Sequence, residues 1–177
     1  MASATTRWPW WLVGWFVLSS IVVLWDVGFI LMRPESMEGG EWSWIWKPYP
    51  NYYRVDKAYG DMSNHWIRTQ TYGNILESAL NFISVGMYFS SSTWMNKFAP
   101  ILGMNAAMMT FWKTVLYWGI EIVSGFENTA HNNLFDAVFI FIIPNGFWLV
   151  VPFAIILWFA KYFMSLDSTN SSKIKRK

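Results

Sequence analysis

The chain contains no cysteine, which excludes disulfides, thiolate metal sites and a cysteine nucleophile. Histidine occurs twice, as His65 and His131, without His-x-x-x-His spacing, so neither a metal nor any other cofactor is expected. Charge is scarce as well: Lys, Arg, Asp and Glu make up 14% of the 177 residues, against about 25% in an average soluble domain. The net charge is +2, and Lys173, Lys175, Arg176 and Lys177 crowd the end of the chain. No basic face remains for phosphate backbones, which excludes nucleic acid as a partner. What is abundant is apolar: 54% of residues are hydrophobic, 20% aromatic, with 14 Trp and 14 Phe. Together with a mean hydropathy of +0.24, this describes a protein dissolved in lipid.

Four apolar segments predict an all-α, polytopic membrane bundle with helices over about 8–32, 73–93, 98–126 and 137–164. The first carries one charge, Asp26, and is long enough to cross a hydrocarbon core of about 30 Å. Its length, its acid and the lack of an Ala-x-Ala-like site set it apart from a signal peptide. Residues 33–70 mix charge, Pro, Gly and aromatics, and read as a long aromatic loop on the bilayer surface. Residues 1–165 form one domain, followed by a basic tail over 166–177. An even helix count places both termini on one side, and the basic tail marks that side as cytoplasmic. Lys173 and Lys175 have the spacing of a dilysine-type signal for retrieval to the endoplasmic reticulum, the alternative being a plain positive-inside tail.

Inside these segments lie polar residues that are costly at membrane depth and mark a path or pocket by default. Asn74, Glu77 and Asn81, three and four apart, form one stripe, suited to line a cavity or to join helices by hydrogen bonds. Lys113, Tyr117 and Glu121 follow at four-residue steps on one face. Lys113 needs a partner, with Asp26 and Glu77 as the candidates, and a purely structural ion pair is the alternative. Asn145 and Trp148 lie one turn apart, flanked by Pro144 and Pro152, which predict a kink and a freed carbonyl. The Trp148 indole becomes a cation-π wall beside a carboxylate-lined cavity.

Two carboxyl groups whose pKa values are pushed apart in a low-dielectric pocket protonate one carbon and deprotonate another. An aromatic face holds the intermediate cation. Such a set isomerises or cyclises an alkene-bearing lipid; without aligned proton transfer it binds a sterol or an amphiphilic amine, and as mere helix glue it makes a scaffold.

The stretches Val115-Leu116-Tyr117-Trp118-Gly119-Ile120-Glu121, Ser124-Gly125-Phe126 and Pro144-Asn145-Gly146-Phe147-Trp148-Leu149-Val150-Val151-Pro152 resemble the emopamil-binding protein family, the EXPERA domain of sterol Δ8-Δ7 isomerases and of the sigma-2 receptor. The match covers about the last 70 residues closely. More loosely, Trp46-Lys47-Pro48-Tyr49 resembles the family's Trp-Lys-Glu-Tyr, and Asp56-Lys57-Ala58-Tyr59 its Asp-x-Arg-Tyr. The resemblance implies a four-helix EXPERA bundle in the endoplasmic reticulum membrane, able to pair as a homodimer. It implies catalytic roles for Glu121, Asn145 and Trp148, with Asp26 and Glu77 as the family's other buried acids, and the expected mechanism has Asp26, Glu77 and Glu121 share the catalytic acid and base roles. Asn81, Lys113 and Tyr117 are expected to contact the substrate. Val22 stands where the isomerases carry a His, and Lys113 has no counterpart in their pattern. The expected function is a double-bond isomerase or related cyclase acting on a sterol-like or terpenoid lipid. The alternative is a non-catalytic sterol or cationic-amphiphile binder of the sigma-2 type.

Overall fold

The computed structural model describes the backbone of residues 7–174 and the side chains of residues 7–166. The described residues are helical, with no strand among them. Helix α1 runs Trp10–Leu31 and stops before Pro34, whose ring cannot continue a helical ladder. The segment that follows is more ordered than the loop expected over 33–70. It carries a 3₁₀ turn, Ser43–Trp46, and two short helices, α2 (Tyr49–Val55) and α3 (Lys57–Gly60). Pro50 in the first turn starts α2. Asp56 starts α3 by accepting the Ala58 N–H at 3.1 Å.

Helix α4 spans His65–Tyr88 and begins eight residues before the expected start. Asn64 explains the difference, since its side chain caps the helix by accepting the Ile67 N–H at 3.1 Å. The first two turns are polar, and an apolar run does not report them. Helix α5 spans Thr93–Val123. A π-helical turn, Asp136–Ile142, leads into α6, Ile143–Ile174. Pro144 lacks the N–H that a carbonyl one turn back would use, so the widened turn sits where the regular ladder is broken. The expected tail at 166 begins inside α6, whose backbone stays helical to Ile174. Lys175, Arg176 and Lys177 lie outside the described residues, as do the side chains of the expected Lys173–Lys175 retrieval signal.

The long helices pack in chain order, α1 on α4, α4 on α5, α5 on α6. Two apolar clusters close the two ends of this assembly. At one end Leu12 and Phe16 of α1 meet Met87 of α4, Ala99 and Ala107 of α5, and Ile155 and Phe159 of α6. Gly103 permits the approach there: a Cβ on it would lie 2.8 Å from Ser84 Oγ and 3.0 Å from Phe159. At the other end Phe29 and Ile30 of α1 meet Ile67 of α4 under Trp46, Tyr49 and Ala58. Each long helix therefore runs opposite to the one before it.

Outer surfaces are apolar on every long helix, as at Leu18 and Ile21 of α1, Leu76 and Ile83 of α4, Trp112 and Leu116 of α5, and Val150 of α6. Glu77, Ser78, Asn81, Ser84, Thr110, Thr114 and Glu121 are buried instead. Two helices, Trp10–Leu31 and the run Leu134–Leu166, are long and apolar enough to cross a membrane.

Candidate functional site

Between the two apolar clusters lies a cavity of about 310 Å³, within the range of small-molecule sites. Every long helix and the α2–α3 segment contribute to its walls. On the α1 side Asp26 accepts two phenol hydrogen bonds, from Tyr49 at 2.7 Å to Oδ1 and from Tyr59 at 3.3 Å to Oδ2. Tyr49 is itself wedged against Phe29, ring centroids 4.0 Å apart, and against the edge of Trp25 at 5.1 Å. Burial, reinforced by the Asp26 charge, pushes the Tyr49 and Tyr59 phenols well above the usual tyrosine range. Burial with the Asp56 charge does the same to Tyr52. All three remain O–H donors throughout the physiological range.

Lys113 enters from α5. Its ammonium donates to Glu77 Oε2 at 2.7 Å and to Asn74 Oδ1, both on α4. Glu77 lies behind the ammonium, 2% exposed, so its charge is committed to neutralising Lys113 and the cation reaches the cavity already paired.

From α6 come Pro144, Asn145 and Trp148. The Asn145 amide donates to the Phe141 carbonyl at 2.8 Å and to the Tyr52 hydroxyl at 3.3 Å. It thereby binds a carbonyl of the π-helical turn and aims Tyr52. Trp148 meets Trp15 of α1 edge to face at 5.7 Å, joining α6 to α1 above the cavity.

Tyr117, one turn after Lys113, lines the cavity and donates its hydroxyl to Asp56 Oδ2. Asp56 is 1% exposed and has no cation partner among the described residues. Burial, with the charge of Glu121 nearby, raises its carboxyl to about 7. The evenly spaced face Lys113, Tyr117, Glu121 thus serves three different partners. Glu121 faces away from the cavity: Asn128 donates to its Oε1 at 2.6 Å and Thr129 to its Oε2 at 2.8 Å. Gly125 (φ +69°) and Phe126 (φ +62°) turn the chain back so that these two side chains reach it. The loop so folded docks on α2 and α3, through Asn132 to the Val55 carbonyl at 2.8 Å and the Lys57 N–H to the Asn128 carbonyl at 3.3 Å.

Of the residues singled out in the sequence, the cavity gathers Asp26, Lys113, Tyr117, Asn145 and Trp148, with Asn74 beside them. Glu77 stands in the second rank, behind Lys113. Glu121 and Asn81 lie elsewhere, Asn81 donating to Ser20 Oγ at 3.1 Å across the α1–α4 contact. Val22 lines the cavity. Sequence reasoning missed Tyr49, Tyr52, Tyr59 and Asp56 as site residues. The signal was present in the Trp46-Lys47-Pro48-Tyr49 and Asp56-Lys57-Ala58-Tyr59 patterns, which the resemblance picked out without giving their residues a site role. The sequence matches no protein-family model and no curated protein.

Proposed function

We propose that this chain is an EXPERA-type, four-span protein of the endoplasmic reticulum membrane, with both termini cytoplasmic, that shifts a ring double bond in a sterol-like or terpenoid lipid. The apolar outer surface of all four long helices and the burial of their polar residues support the spans, because lipid rather than water then covers the outside. The observation that carries the activity is that two carboxyl–phenol units, Asp26 with Tyr49 and Tyr59, and Asp56 with Tyr117, flank one aromatic cavity beside an indole.

The chemistry needs one proton in and one proton out. Asp26, with two phenols donating to it, is the acceptor. Asp56, half protonated near neutral pH, is the reservoir and works through Tyr117. In its acid form it donates to the phenol oxygen, which frees the Tyr117 hydroxyl proton for an alkene carbon. As that proton leaves, the Asp56 proton restores the phenol. The carbocation rests against Trp148. Loss of a neighbouring C–H proton to Asp26 forms the shifted alkene, and return of one proton from Asp26 to Asp56 closes the cycle. Pairing of Lys113 with Glu77 removes a repulsion that a bare ammonium would exert on that cation.

The test is turnover in heavy water, with the protein in lipid nanodiscs and Δ8 sterols and polycyclic terpenoids as substrates. A shifted double bond carrying solvent deuterium is expected, with the rate falling roughly 10²- to 10⁴-fold in Asp26→Asn. Retention of full turnover in both Asp26→Asn and Trp148→Ala would overturn the mechanism. A second reading rests on the same Asp26: an acid with no ion pair among the described residues, walled by Trp25, Tyr49 and Trp148, also fits the protonated amine of a cationic amphiphile. Tight amine binding that depends on Asp26, without any product, would favour a binder of the sigma-2 type.

A further inference from the structure

A second, smaller cavity of about 180 Å³ sits where α1 ends and α4 begins, lined by Ile30, Leu31, Arg33, Met62 and Arg68. Two guanidinium groups share it, and among the described residues neither has a carboxylate within salt-bridge distance. Arg33 spends Nε on the Ile30 carbonyl at 3.3 Å and Nη1 on the Tyr59 and Asp61 carbonyls at 2.8 and 3.2 Å. Among the described residues its Nη2 has no acceptor, and the Arg68 side chain has none at all. The nearby Asp61 carboxylate is occupied on Oδ1 by the Ser63 hydroxyl at 2.7 Å and the Ser63 N–H at 2.8 Å. Burial and the positive charge of Arg68 both hold the Arg33 guanidinium below its ordinary range. Asp61 acts on Arg33 from beyond ion-pair distance and only partly offsets Arg68, and two like charges so imperfectly balanced are relieved by an external anion.

The remaining walls are apolar, and Leu31 and Met62 are exposed beside the charges. Leu31 closes a helix long and apolar enough to cross a membrane, so the cationic pair sits at the end of a span, where a head group and the start of its acyl chains meet a protein. We propose that Arg33 and Arg68 form a binding site for a phosphate-bearing anion, the head group of an acidic phospholipid, whose chains lie along Leu31 and Met62. The site is separate from the aromatic cavity and does not depend on the isomerase reading. It touches that cavity at one point, because Arg33 holds the backbone of Tyr59, whose hydroxyl reaches Asp26.

The experiment compares the full chain in phosphatidylcholine nanodiscs with and without phosphatidylglycerol, reading retained lipid by native mass spectrometry and the thermal unfolding midpoint. Phosphatidylglycerol should be retained in preference and should raise the midpoint. Arg68→Gln, which breaks no hydrogen bond within the protein, should weaken retention roughly tenfold to hundredfold, the worth of one or two charge-assisted hydrogen bonds. Lys47→Gln, the loss of another exposed cation from the same region, should leave it unchanged. Equal retention of both lipids, or equal effects of the two substitutions, would overturn the site. If inorganic phosphate in phosphatidylcholine discs gives the same stabilisation, the anion site stands and its assignment to lipid is overturned.

Discussion

Four buried or half-buried acids in this chain have four different surroundings, and the surroundings decide what each does. Asp26 meets phenols, Glu77 an ammonium, Glu121 an amide and a hydroxyl, and Asp56 a phenol without any cation. For Asp56 the pH dependence can be given a sign. Its carboxyl titrates at about 7 in the folded chain and near 3.9 when unfolded, so the native state binds the proton more tightly. Its contribution to stability is full at pH values below both, falls as pH rises from about 4 to about 7, and is flat above. Asp56→Asn should remove this slope from the unfolding midpoint measured against pH. In the wild type, turnover should decline as pH rises through about 7, and this limb should vanish in the variant along with most of its rate. At Trp148, substitution by Ala should lower kcat by roughly 10²-fold, the scale of losing a positioned electrostatic stabiliser. Phe should restore part of the loss, while binding of a neutral sterol changes less; equal rates for Ala and Phe would remove the cation-π role.

Charge couples helices α4 and α5. Lys113→Met alone leaves the Glu77 carboxylate buried without a counterion, which should cost about 3–5 kcal/mol in unfolding measurements. Adding Glu77→Gln should recover most of that, because the pair adds little net stability beyond its own desolvation cost. Failure of the second substitution to rescue the first would mean that Lys113 is held by something other than charge. This pairing was half legible in the sequence, where spacing put Asn74 and Glu77 on one face of α4 and Lys113 on one face of α5, but left the choice between Asp26 and Glu77 open. Helix ends followed the same logic. Apolar runs located the middles of the helices, while the polar first turns of α4 and the helices α2 and α3 depend on side-chain caps at Asn64 and Asp56, which an apolar pattern does not report. Glu121→Ala should release Asn128 and Thr129, cost roughly 2–4 kcal/mol through two charge-assisted hydrogen bonds, and raise hydrogen exchange across residues 124–133.

For the molecule as a whole, the cavity is a product of long-range pairing. Tyr49, Tyr52 and Tyr59 come to it, with Asp56 behind Tyr117, from a segment that is distant in sequence from Tyr117, Asn145 and Trp148. Residue type and helical spacing reveal which positions share a face, as for Lys113 and Tyr117, but not which segment folds over them. Glu121 shows the limit from the other side: it continues the Lys113–Tyr117 face by spacing, yet lies past the end of the cavity, where the chain turns at Gly125.

The ion pair between Glu77 and Lys113 also bears on how the protein is made. In the proposed topology each helix of the α4–α5 hairpin carries one charge that is costly to deliver to lipid singly. If the two helices enter the bilayer together, already neutralised, the residues joining them act as the turn of a single inserting unit. Lengthening the short link between Tyr88 and Thr93 with a flexible polar spacer, which the folded bundle can accommodate on its surface, should then impair membrane integration during synthesis, and Glu77→Gln with Lys113→Met should abolish that sensitivity.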